Sequence, residues 1–209
     1  PSSSHTMGPM TAANRFLNEI LHGDWPRPFG AKAAHIKASL HGSLAFTGIG
    51  HGSDRAVILG LMGHAPQDID PDEVDGILER VKRTKRVTPN GHPSYDFDPA
   101  VDLVLDKKTP LPGHANGMSF SAFDRDERML LKVSYFSVGG GFVLTADELS
   151  ASKSAAGKAA RDEVPHPFKS AAEMFGSASI IPREWQWQNY VEVFTYQPFA
   201  RQYFNSLYI

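Results

Sequence analysis

Apolar residues recur at helical spacing over 9–22, where Met10, Ala13, Phe16, Leu17, Ile20 and Leu21 gather on one face and Gly23 can end the element. The Ser/Thr run before it offers side-chain oxygens for an N-terminal cap, and Pro9 suits a first turn. "DWPRPFGA" is a loop, since its two prolines forbid regular pairing. Over 34–48 the period changes to two. Ile36, Ala38 and Leu40 alternate there, which predicts a strand, or two short strands broken near Gly42. A second helix is predicted over 52–62 from Ala56, Val57, Leu59, Leu61 and Met62, with Gly63 as its stop. Pro71 opens a third, marked by Val74, Ile77, Leu78 and Val81. "VDLVL" (101–105) reads as a strand. Residues 117–144 then have the form of a hairpin with its turn at "DRDE" (124–127) and with Met129, Leu131 and Val133 on one face of the returning strand. "SASKSAAGKAARDE" (150–163) reads as a surface linker or a weak helix. No stretch repeats another. Helices interleaved with strands predict an α+β fold, a mixed sheet with helices packed on it.

Composition narrows the class of protein. With 209 residues, 41% of them hydrophobic, the chain can bury one core of ordinary size. Its 21 basic and 23 acidic residues form no long run of one sign, so nothing points to nucleic acid or to an anionic membrane surface. "ERVKRTKR" (79–86) is the solvated end of the third helix, where cations are favoured. No window approaches the ~18 apolar residues of a membrane span, and no signal sequence opens the chain, so a cytoplasmic location is expected. There is no cysteine, which excludes disulfides, a thiolate nucleophile and any cysteine-held cluster within this chain.

Two stretches carry candidate chemistry. In "PSSSHTMGPM", Ser2, Ser3 and Ser4 place hydroxyls at a helix start, where unpaired backbone N–H groups and the helix dipole welcome a carboxylate or phosphate. The alternative reading is that one of them only caps the helix, although capping has no use for the adjacent His5. In "GIGHGSD", His51 follows Gly48 and Gly50 and precedes a helix, which predicts an exposed loop histidine. G-x-G without a third glycine is no dinucleotide fingerprint, and the nine histidines show no metal spacing. His22, His35, His64, His92 and His166 read as surface or loop residues and His41 as a strand residue. "HANGM" (114–118) and "SVGGGF" (137–142) read as tight turns or bulges at strand ends.

Taken in order, "PSSSHTMGPM", "HGSLAFTGIGHGSD", "HANGM", "YFSVGGGF" and "PHPFKSAAEM" resemble the N-terminal or β domain of the iron-sulfur-dependent bacterial L-serine dehydratases, over about residues 1–174. The resemblance implies deamination of L-serine to pyruvate and ammonia. It implies a 4Fe-4S cluster held by cysteines of a separate α domain, with iron as a Lewis acid on the C3 hydroxyl while a base takes the Cα proton. It also implies roles: Ser2, Ser3 and Ser4 hold the substrate carboxylate, His51 is the catalytic base and His5 assists it. The fold it implies is similar to the allosteric substrate-binding domain of phosphoglycerate dehydrogenase. The partners it implies are L-serine, the cluster-bearing α domain or subunit, and a second copy in a homodimer.

The chain departs from the family at three points. It begins at the motif's proline, so the family's leader segment is expected to be missing. Without cysteine the α domain must lie elsewhere, and this fragment is expected to be inactive by itself. Residues 175–209 form an atypical aromatic-rich tail, which divides the chain into a β domain, 1–174, and that tail. A reading of another class is a stand-alone module that binds serine or a related carboxylate for regulation, without catalysis.

Overall fold

The computed structural model describes residues 4–159. Ser2 and Ser3, His166, the fifth motif, the boundary at 174 and the tail 175–209 lie outside the described residues. Among the described residues the order is α1 (Met7–His22), β1 (His35–Gly42), α2 (Ser43–His51), α3 (Ser53–Leu61), α4 (Val74–Thr84), β2 (Arg86–Val87), β3 (Tyr95–Asp96), β4 (Leu103–Asp106), β5 (Asn116–Phe123), β6 (Met129–Gly139), β7 (Phe142–Thr145) and α5 (Ala146–Ala159). The α+β expectation holds. The strands form one mixed sheet in the order β2-β3-β1-β5-β6-β7, with β4 also paired to β1. β1 runs parallel to β3 and β4 and antiparallel to β5.

The period-two pattern places the core on one face of this sheet. Ile36, Ala38 and Leu40 of β1 pair with Ala122, Phe120 and Met118 of β5, and all six are buried. The apolar stripe of α1 lies over them, with Phe16 stacked on Phe120 at 5.4 Å between ring centres. α3 packs beside α1. Gly60 allows this contact, because a side chain there would run into the Met10 carbonyl and come within 2.7 Å of the Ala13 methyl.

The structure corrects the expected strand over 34–48. β1 ends at Gly42, which has φ +57°, and the chain turns directly into α2. The Ser43 N–H donates to the Ala115 carbonyl at 2.9 Å, and Leu44, Ala45 and Gly48 then bury one side of a helix. Glycine and threonine disfavour helix locally, so burial of that face decides the conformation.

The hairpin turns where expected. The Asp124 carboxylate accepts the backbone N–H groups of Asp126 and Arg128, both at 2.9 Å, and Glu127 takes a left-handed φ of +57°. Leu131 and Val133 pack on the core, but Met129 is exposed: a bulge between Ala122 and Phe123 shifts the register and takes it off that face. Gly139, Gly140 and Gly141 all have positive φ and form the turn into β7.

Of the two readings of 150–163, linker or weak helix, the helix holds for the described part. α5 starts earlier, at Ala146, on a reciprocal cap: the Glu148 N–H donates to Thr145 Oγ1 at 3.3 Å and the Thr145 N–H to Glu148 Oε2 at 2.8 Å. Arg15 of α1 grips the same carboxylate at 3.0 and 2.7 Å, and these bonds hold the Glu148 carboxyl well below its usual range, at about 2.

Candidate functional site

The helix start, the α2–α3 junction and the end of β1, where Gly42 pairs with Asn116 at the start of β5, meet at one end of the sheet. Thr6 occupies the cap position of α1 but makes no side-chain cap, which corrects the simple capping reading. Its hydroxyl donates instead to the His51 carbonyl at 3.0 Å. In the same way the Ser53 hydroxyl, at the start of α3, donates to the His5 carbonyl. These two bonds lace residues 5 and 6 to residues 51 and 53. Two histidines far apart in sequence are thereby brought together, with ring centres 5.0 Å apart.

The two imidazoles differ in their surroundings. His5 is half-buried and held at both nitrogens, with Nδ1 3.1 Å from Ser4 Oγ and Nε2 3.1 Å from Ser43 Oγ. In the neutral ring one of these nitrogens donates and the other accepts. Burial, and secondarily the neighbouring His51, lowers the His5 pKa. At neutral pH the uncharged form of His5 is therefore favoured.

His51 is the last residue of α2 rather than a loop residue, and Gly52, in the left-handed conformation at φ +70°, separates it from α3. The glycines before it are helical. The expected exposure holds: the ring is open to solvent, and among the described residues neither of its nitrogens is hydrogen-bonded. An open imidazole beside a neutral, anchored one can accept a proton from a bound molecule.

Sequence reasoning named Ser4, His5 and His51 but missed Ser43, Ser53 and Thr6, which fix the two histidines. Ser43 and Ser53 lie in the second motif, where a serine in "HGSL" and one in "HGSD" each flank a predicted turn. His35 is also corrected. It opens β1 and lies between Asp102 Oδ1 at 2.9 Å and Glu127 Oε1 at 2.7 Å. It lines a cleft at the opposite end of β1, with Asp96, Asp124 and Arg128. Among the described residues no three His, Asp or Glu side chains are grouped as metal ligands, and no helix is long and apolar enough to cross a membrane.

The lowered His5 pKa has a measurable consequence. A histidine kept neutral by the fold costs nothing above its ordinary value of 6.5 and costs stability as pH falls below it, because the unfolded chain binds the extra proton. His5→Gln should therefore flatten the loss of stability as pH falls below about 6.5. Urea melts across that range check it, and an unchanged slope contradicts it. His92, whose pKa is lowered mainly by burial, contributes with the same sign in both proteins and cancels in the difference.

Residues 1–148 match the family model described as serine dehydratase beta chain. Over 153 residues the chain is 39% identical to an L-serine dehydratase of Streptomyces coelicolor, covering 73% of this chain and 33% of that protein. Over 180 residues it is 35% identical to an L-serine dehydratase of Haemophilus influenzae, covering 86% and 37% respectively. It is 37% identical over 175 residues to L-serine dehydratase TdcG of Escherichia coli, covering 83% and 36%. The chain spans about a third of the length of these curated relatives.

Proposed function

The chain belongs to the serine dehydratase beta chain family, and from that premise we propose that it is the β domain of an enzyme converting L-serine to pyruvate and ammonia, active once joined to a separate α domain. The observation that carries this reading is the approach of His5 and His51 to 5.0 Å beside the start of α1. In the proposal, the hydroxyls of Ser2, Ser3 and Ser4, with the open N–H groups of that helix, hold the substrate carboxylate. The bound carboxylate directs Cα toward His51, whose open nitrogen takes the Cα proton. His5, neutral and anchored by Ser4 and Ser43, keeps a second positive charge away from the imidazolium that forms. As the Cα–H electrons form the new double bond, the C3–O bond breaks and hydroxide leaves. The resulting aminoacrylate tautomerises to an imine, which water hydrolyses to pyruvate and ammonia.

The 4Fe-4S cluster implied by the family resemblance does not fit the residues of this chain. There is no cysteine to supply thiolate. In this proposal the cluster and assistance to the departing hydroxyl belong to the α domain, in a cytoplasmic assembly with that domain and a second copy of this chain.

Pyruvate release from L-serine, measured anaerobically with and without the α domain, tests the reading. The chain alone should be colourless and inactive, and the reconstituted protein active. Tight serine binding by a reconstituted protein that makes no pyruvate would favour a regulatory module instead.

A further inference from the structure

We propose that the side-chain carboxamide oxygen of Asn116 receives the α-ammonium group of the substrate, making Asn116 the residue that selects an α-amino acid over an α-hydroxy acid. This rests on the reading that the substrate carboxylate sits at the start of α1.

Asn116 opens β5, and its side chain shares the face of Met118, Phe120 and Ala122, which is covered by the helices. It therefore stands at the end of the core row, on the side of the sheet where α1 begins. Two chains of contact tie it to the site. On one side Asn116 pairs with Gly42, and the Ala115 carbonyl receives the N–H of Ser43, whose hydroxyl meets His5 Nε2. On the other, Asn116 Nδ2 donates to the Ser137 carbonyl at 3.3 Å. Ser137 lies directly under the first turn of α1: its Cβ would be 2.6 Å from any side chain at Gly8.

The bond to Ser137 sets the orientation of the amide, because only the NH₂ end can meet a carbonyl oxygen. The oxygen end is thereby directed elsewhere, and among the described residues Oδ1 accepts no hydrogen bond. A half-buried acceptor, fixed in orientation and left without a donor, suits a cationic N–H group. Serine bound by its carboxylate at the helix start carries such a group on the next carbon. The function proposed above gives it no partner. The Asn116 oxygen supplies one, and "HANGM", whose residue pattern predicts a tight turn or bulge, acquires a role in specificity.

The test compares L-serine with L-glycerate, which keeps the carboxylate and the C3 hydroxyl but carries a hydroxyl in place of the ammonium. Both are titrated into the full chain by calorimetry or NMR. The chain should bind L-serine about ten- to a hundredfold more tightly, as one charge-assisted hydrogen bond provides. Asn116→Ala should bring serine down to the affinity of glycerate and leave glycerate within about twofold. Asn116→Asp, which retains an acceptor oxygen, should keep the preference for serine. Wild-type chain that binds the two ligands equally overturns the proposal whatever the variants do, as does an equal loss of both in Asn116→Ala. In those outcomes the carboxylate site stands. A chain that binds neither ligand removes the carboxylate site, and this proposal with it.

Discussion

His51→Ala, in the protein completed by its α domain, is expected to lower kcat by about 10²- to 10⁴-fold, the usual contribution of a positioned general base, while the apparent affinity for L-serine stays within about twofold. A base interacts with the reacting proton, whereas the carboxylate contacts hold substrate and transition state alike. The variant is a clean probe for a structural reason. The contact between His51 and Thr6 runs through the backbone carbonyl, which alanine retains, and the ring itself is exposed, with the His5 ring 5.0 Å away. Stability should therefore change by no more than about 0.5 kcal/mol. Ser3→Ala should do the reverse, raising KM with a smaller effect on kcat, and His5→Ala should keep part of the activity. Steady-state kinetics with a thermal melt of each variant distinguishes the roles. A His51→Ala protein with near-normal kcat would remove it as the base and transfer attention to His5.

The largest structural effect is expected at Gly60. Alanine in place of a helical glycine ordinarily stabilises by about 1 kcal/mol. At Gly60 the added methyl would meet the Met10 carbonyl oxygen and approach the Ala13 methyl to 2.7 Å, both on the α1 backbone side of a close helix contact. α1 can accommodate it only by moving off α3, and overpacking of this kind costs about 1–3 kcal/mol, enough to reverse the sign. Gly60→Ala should thus lower the urea midpoint with the slope unchanged. Gly76, in the first turn of α4, is exposed and has nothing within 4 Å of an added methyl, so Gly76→Ala should raise the midpoint. Matching signs for the two substitutions would contradict this account of the α1–α3 contact. Because α1 carries residues 5 and 6 to the α2–α3 junction, a displaced α1 should also weaken the His5–His51 pairing.

Local pattern was enough for much of this. The stripe of Phe16, Leu17 and Ile20, the alternation of Ile36, Ala38 and Leu40, and the charged turn at 124–127 each state their element within a few residues, since periodicity and turn chemistry are local properties. The reciprocal cap of α5 is equally local, written as "TADE" at 145–148. In the same way Ser4, His5 and His51 could be named, because a serine-rich helix start and the ordered motifs are features of the chain itself. What periodicity could not decide was α2. Its glycines and threonine have little helical preference, and only burial of Leu44 and Ala45 under the fold selects helix there. That choice sets the end of α2 at His51 and brings it to His5. The pairing depends on hydrogen bonds between residues 38 to 48 positions apart, from Ser43 to His5, Thr6 to His51 and Ser53 to His5. Sequence fixes the identity of such residues, but the partner of a hydroxyl is chosen by three-dimensional proximity, and proximity across such separations exists only after the sheet and helices have packed.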